Sequence, residues 1–181
     1  MGANRWCTWA RGTHRRDARV IWALALALAG ERVALGVWER WAAIRDAGVE
    51  AAAGDAGPRR CFAIAQPVLA GGDSDRRGAF ASIAARQGPA RAPAVFYRLS
   101  RARGAGAAIT LTVGERRFAL VGDRTTARAP DAATDRAILN AMRSARAMTL
   151  ATLDADGRTI ADSYPLAGAA TAIDAAQLGC R

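Results

Sequence analysis

The sequence predicts a mainly β, antiparallel domain of about six or seven strands with two short helices, one of them at the C-terminus. Three observations predict it. Ile109, Leu111 and Val113 alternate with Thr110 and Thr112, the period of a half-buried strand. Gly114-Glu115 and Asp154-Ala-Asp-Gly157 are turn signals that each join two such segments, and short turns of this kind enforce antiparallel pairing. No repeat or long linker interrupts the chain, so the strands belong to one domain.

The first segment, residues 1–29, reads as an N-terminal extension followed by a secretory signal. Arg15, Arg16 and Arg19 precede the nine-residue apolar run Val20–Leu28, and Ala27-Leu-Ala29 offers small residues for cleavage before Gly30. The run is too short to cross a bilayer, which needs roughly 20 apolar residues, so no transmembrane span is expected in the mature chain. Arg15-Arg16 faintly echoes a twin-arginine signal, but Asp17-Ala18 stands where an apolar pair is usual. Trp6, Cys7, Trp9 and His14 are atypical of a signal, and a start downstream at a non-AUG codon is the expectation they raise.

Residues 30–60 form the N-terminal segment of the mature chain. Its apolar cluster Val37–Ile44 reads as a short helix or an irregular segment placing Trp38 and Trp41 on the domain, and Ala51–Pro58 as a flexible approach. The β domain is expected over 61–181. Phe62, Ile64 and Gln66 alternate with Ala63 and Ala65 until Pro67 ends the run; Phe80–Ala85 follows a Gly-rich loop. Val95, Tyr97 and Leu99 share a face, and Arg116–Val121 is the return strand of the Gly114-Glu115 hairpin. Beyond Pro130 the period lengthens: Asp131 can cap a helix carrying Ile138, Leu139 and Met142. Met148 and Leu150, then Arg158–Tyr164, form the second hairpin. An alanine-rich helix over Leu166–Leu178 closes the chain with Gly179 as its C-cap, and its small side chains allow close approach to a sheet.

Charge and cysteine content narrow the compartment and the partners. All 26 basic residues are arginine, the bias a GC-rich coding sequence produces. The net charge of +10 falls to about +6 from Gly30 onward, which favours anionic neighbours: lipid head groups, lipopolysaccharide or polynucleotide. Removal of residues 1–29 takes Cys7 and leaves Cys61 and Cys180, an even pair that reads as a disulfide in an exported chain. The expected location is therefore periplasmic or secreted.

The run Cys61–Pro67 (CFAIAQP) and the C-terminal residues Ala141–Ser144, Asp156-Gly157, Asp162–Leu166, Gly168, Ala172–Ala175 and Cys180 resemble the invasion-associated locus B family of alphaproteobacterial envelope proteins. The resemblance spans residues 37–180, its specific part being the last 40 residues and the Cys61 run. It implies a periplasmic or surface β-sandwich of immunoglobulin-like proportions. One member type is associated with entry into host cells, and the resemblance supplies no catalytic residue. This chain pairs Cys61 directly with its C-terminus and has no further cysteine in the mature part, so only fold and location carry over.

Chemistry is constrained by what is missing. His14, the one histidine, precedes the cleavage point, and there is no lysine. A mature chain so composed holds no Ser-His-Asp, Cys-His or Ser-Lys site and lacks the usual zinc ligands; no metal or cofactor is expected. Asp154 and Asp156 lack calcium-loop spacing and suit a hairpin turn, Asp73 and Asp75 balance Arg76 and Arg77, and Arg103-Gly-Ala-Gly106 lacks the glycine and helix of a phosphate-binding fingerprint. Arg98, Arg101, Arg103, Arg116 and Arg117 form the candidate anion-binding patch, provided their strands are neighbours. The leading expectation is a non-enzymatic envelope protein that binds a protein or an anionic envelope component, without sequence-specific nucleic-acid recognition. The alternatives are a hydrolase of envelope glycan built on two carboxylates such as Asp123 and Asp162, and a cytoplasmic arginine-rich nucleic-acid binder.

Overall fold

The computed structural model describes residues 32–46, 60–68, 78–85 and 93–180; the predicted signal segment, the 51–58 approach and Asp73 and Asp75 lie outside them. Among the described residues ten antiparallel strands form two sheets. Six make the order β1-β2-β3-β4-β5-β8: β1 (Arg32–Trp38), β2 (Trp41–Asp46), β3 (Arg60–Ala65), β4 (Phe80–Ala85), β5 (Ala94–Arg98) and β8 (Thr126–Arg128). Four make the order β10-β9-β6-β7: β6 (Ile109–Val113), β7 (Arg116–Leu120), β9 (Ala147–Leu153) and β10 (Thr159–Pro165). Helix α1 (Ala132–Met142) connects β8 to β9, and α2 (Ala169–Gly179) closes the fold. The mainly β, antiparallel fold with a C-terminal helix is as the patterning predicts, and the two sheets make the sandwich that the resemblance implies.

The two predicted hairpins form in the expected register. Val113 faces Arg116 across Gly114-Glu115, and Leu153 faces Thr159 across the second turn. Gly114 adopts φ 58°, a left-handed conformation that glycine enters without steric cost. In the second turn the Asp154 carboxylate accepts the N–H groups of Asp156 and Arg158 at 3.0 and 2.8 Å, fixing the chain reversal. Asp131 caps α1 as predicted, its carboxylate accepting the Thr134 N–H at 2.7 Å.

Three strands exceed the prediction. The 37–44 cluster is neither helix nor irregular: Trp38 faces Trp41 across the Glu39-Arg40 turn, and β2 pairs with β3 along its whole length. The six-stranded sheet thus begins at Arg32 rather than at Cys61. Its turn was invisible because Glu39, not glycine or asparagine, takes the positive φ of 54°. The third, β8, is only three residues long and exists because β5 offers it an edge, Tyr97 facing Ala127.

The inner face of the six-stranded sheet is covered at one end by the four-stranded sheet and at the other by α2. Trp41, Tyr97 and Tyr164 are the largest wholly buried side chains. The Trp41 indole donates to the Pro165 carbonyl at 2.8 Å, and the Tyr97 hydroxyl meets the Met148 sulfur at 3.6 Å, so these two polar tips are satisfied inside the core. Two isolated bridges, Val68 to Ser163 and Val121 to Arg128, stitch the sheets together at opposite sides. Ala169, Ala172 and Ala176 of α2 are buried over Ala43 and Ala63 of the sheet. Helix α2 starts at Ala169 rather than Leu166 and is C-capped by Cys180 rather than Gly179. Its start is set by Gly168, left-handed and packed so closely on the Trp38 carbonyl that a Cβ has no room.

Candidate functional site

Cys61 and Cys180 are bonded to each other, their Cα atoms 5.7 Å apart, which joins β3 to the end of α2 across a separation of 119 residues. Strand alternation turns Cys61 to the inner face, where it is 1% exposed in a small cluster with Ala43 and Ala176. The disulfide therefore pins the helix to the sheet at the point where alanines make the contact thinnest.

The five predicted arginines do not assemble. Strand β5 neighbours β4 and β8, not β6 or β7, so the adjacency the patch requires is missing. Arg98 lies on the outside of the six-stranded sheet. Arg116 and Arg117 occupy the edge strand of the other sheet and, as consecutive strand residues, point to opposite faces, Arg116 lying over the Phe118 ring at 5.3 Å. The Arg103 guanidinium donates to three carbonyls, Asp123 at 2.7 Å, Ala107 at 2.6 Å and Gly122 at 2.8 Å. Arg101 donates to the Thr159 carbonyl at 3.1 Å and pairs with Asp154 at 3.4 Å. These two are latches between loops, Arg101 engaging one carbonyl and one carboxylate and Arg103 three carbonyls. The Arg103–Gly106 turn accordingly cradles protein backbone instead of phosphate.

The carboxylates separate in the same way. Asp162 is 1% exposed on the inner face of β10, where one oxygen accepts the Ser100 N–H at 2.9 Å and Oδ1 has no hydrogen-bond partner among the described residues. Thr152, diagonally across on β9, leaves its Oγ1 equally without a partner among the described residues. Asp123 is exposed in the β7–β8 turn, where N–H groups of Thr125 and Thr126 hold its carboxyl below the usual range. One carboxylate is sealed in the core and the other caps a turn, so they do not face a common substrate cleft. Asp162 instead raises the Tyr164 hydroxyl pKa, adding to the larger effect of burial. No group of metal-ligating side chains occurs among the described residues.

A cleft of about 220 Å³ lies between the two helices, floored by Leu139, Met142 and Ile173 and edged by Arg136 and Arg143. Arg143 is engaged with Asp174 at 3.6 Å. Neither arginine was singled out by sequence, because α1 and α2 are far apart in the chain. Arg60 and Arg128 were missed as well. They join Arg98 on the outer face of the six-stranded sheet, and none of the three forms an ion pair among the described residues. Alternation with Phe62 and Ile64 places Arg60 on their face, but β8 was too short to read, which hid Arg128. No protein-family model, curated protein or solved structure matches this chain. Among the described residues no helix is long and apolar enough to cross a membrane.

Proposed function

We propose that the chain is an exported envelope protein that works by binding a macromolecular partner or an anionic envelope component, and not by catalysing a reaction. The observation that carries this reading is the Cys61–Cys180 bond, since disulfides persist in oxidising compartments. Further support comes from the signal-like segment 1–29, from the absence of lysine and of any histidine beyond His14, and from the three arginines of the outer sheet face that form no ion pair among the described residues. The sequence resemblance to the invasion-associated locus B family points to the same compartment.

Fractionation of cells expressing the chain with its own N-terminus, followed by intact-mass analysis, tests the reading. The expected product is recovered from the envelope or medium, is shorter than the full chain and lacks two hydrogens through disulfide formation. A full-length cytosolic product with both thiols alkylatable would overturn it. Turnover of an envelope substrate that disappears with one carboxylate substitution would overturn the non-enzymatic part.

A further inference from the structure

The six-stranded sheet carries large apolar residues on both of its faces. Its inner face holds Trp41, Ile83, Val95 and Tyr97 among the alanines Ala43, Ala63, Ala65 and Ala81, and Phe62, Ile64, Phe80 and Phe96 point outward. Register makes these outward residues contiguous. One row runs Val37, Ala42, Ile64, Ser82, Phe96, Arg128 across successive strands, and the next contains Ile44, Phe62 and Ala84. Phe80 lies beside Phe96, ring centroids 5.9 Å apart, and faces Arg98. Val37 is 67% and Phe96 38% exposed. A contiguous apolar surface of this kind on a folded domain marks an interaction site.

We propose that this face docks on an anionic lipid bilayer, with the aromatic and aliphatic rows entering the interface and Arg60, Arg98 and Arg128 meeting phosphate-bearing head groups. The inference rests on the envelope-binding reading above and names its ligand. Charge complementarity selects the occupant. Among the described residues Arg60, Arg98 and Arg128 form no ion pair on this face, Asp46 beside Arg60 being bonded to Arg32, and two of the three are grouped at the β5–β8 end, so an uncharged apolar partner would leave them unmatched. A second copy related by a two-fold axis would bring the same cations of both chains into one interface, a like-charge juxtaposition. An anionic bilayer satisfies both halves, as apolar area and attraction to acidic lipids add in interfacial binding.

The test is co-sedimentation of the oxidised chain, as recovered from cells, with vesicles of phosphatidylglycerol and phosphatidylcholine or of phosphatidylcholine alone. Binding is expected to the acidic vesicles and to weaken as salt is raised. Arg98→Gln with Arg128→Gln should lower it and flatten the salt dependence, and Ile64→Ser with Phe96→Ser should lower it about tenfold or more. Arg117→Gln, on the other sheet, should leave it unchanged; thermal melts of every variant show whether the fold is retained. Absence of binding to acidic vesicles, equal loss with the Arg117 variant, dimerisation or capture of an acidic protein through this face would each overturn the proposal. An envelope-located, disulfide-bonded product that ignores vesicles sinks this inference alone, whereas a cytosolic product with free thiols sinks the broader reading.

Discussion

The two sheets solve the same burial problem in opposite ways. In the four-stranded sheet Ile109, Leu111, Val113, Met148, Leu150 and Ile160 fill the core, and the outer face carries Thr110, Thr112, Thr149 and Ser163. In the six-stranded sheet alanines share the inner face with Trp41, Ile83, Val95 and Tyr97, and phenylalanines stand on the outer. The difference follows from what covers each. The first sheet faces another sheet, and sheets pack about 10 Å apart with long side chains between them. The second is covered at its β1–β4 end by α2, whose Ala169, Ala172 and Ala176 meet Ala43 and Ala63, small side chains that let helix and sheet approach closely. Apolar residues at alternate positions thus mark a strand but do not say which face is inside.

Breaking the disulfide is the perturbation expected to separate the two halves most. Closing a loop of this length contributes on the order of 4–5 kcal/mol in the chain-entropy model. Thermal melts of Cys61→Ala with Cys180→Ala should show a loss approaching that size, with hydrogen exchange rising in β3 and α2 before β6 and β9. Uniform loosening of both sheets would deny the disulfide its local role.

Volume changes should then act with opposite sign in the two cores. Leu111→Ala removes buried volume from the four-stranded sheet and should cost about 2–5 kcal/mol in denaturant unfolding. Ala63→Leu adds volume beneath α2 and should cost about 1–3 kcal/mol through overpacking, where the same exchange at an ordinary strand position is mild. A neutral Ala63→Leu would mean that α2 is not held tightly on the sheet.

Alkali probes the seam where the sheets meet. Tyr97 and Tyr164, the only tyrosines, stand with ring centroids 6.3 Å apart. Burial pushes both hydroxyls well above the usual tyrosine range, with Asp135 adding to the shift of Tyr97 and Asp162 to that of Tyr164. Their folded values exceed the unfolded one, so the stability they contribute is intact below about pH 10 and is lost as pH rises further. Tyrosinate absorbance should stay flat through pH 10 in the native protein and rise only with unfolding. The smallest effect belongs to the outer face: Phe62→Ser should change stability by less than about 1 kcal/mol, because the ring is only half-buried.

Much of the fold was legible because hairpins are local. Gly114-Glu115 and Asp154–Gly157 carry their own turn chemistry, and the flanking segments alternate cleanly, so β6, β7, β9 and β10 follow from neighbouring residues alone. The β1–β2 hairpin was illegible because its turn uses Glu39 against the usual preference, a cost of roughly 1–2 kcal/mol for a non-glycine residue, and pairing with β3 offsets it. The arginine patch failed for a related reason. Whether Arg98 meets Arg116 depends on which strands become neighbours, and the crossing from β5 to β6 changes sheets.

By itself the sequence determined the strand periodicity, the capped helix after Asp131, the small-residue face of the last helix and the pairing of its two late cysteines, all of which depend on local sterics or on elimination. Tertiary structure alone decided which face of each strand is inside, that Arg101 and Arg103 engage carbonyls while Arg60, Arg98 and Arg128 form no ion pair among the described residues, and that Asp162 is sealed in the core. Those outcomes depend on contacts between residues distant in the chain, and alternation along one strand holds no record of what will be packed against it.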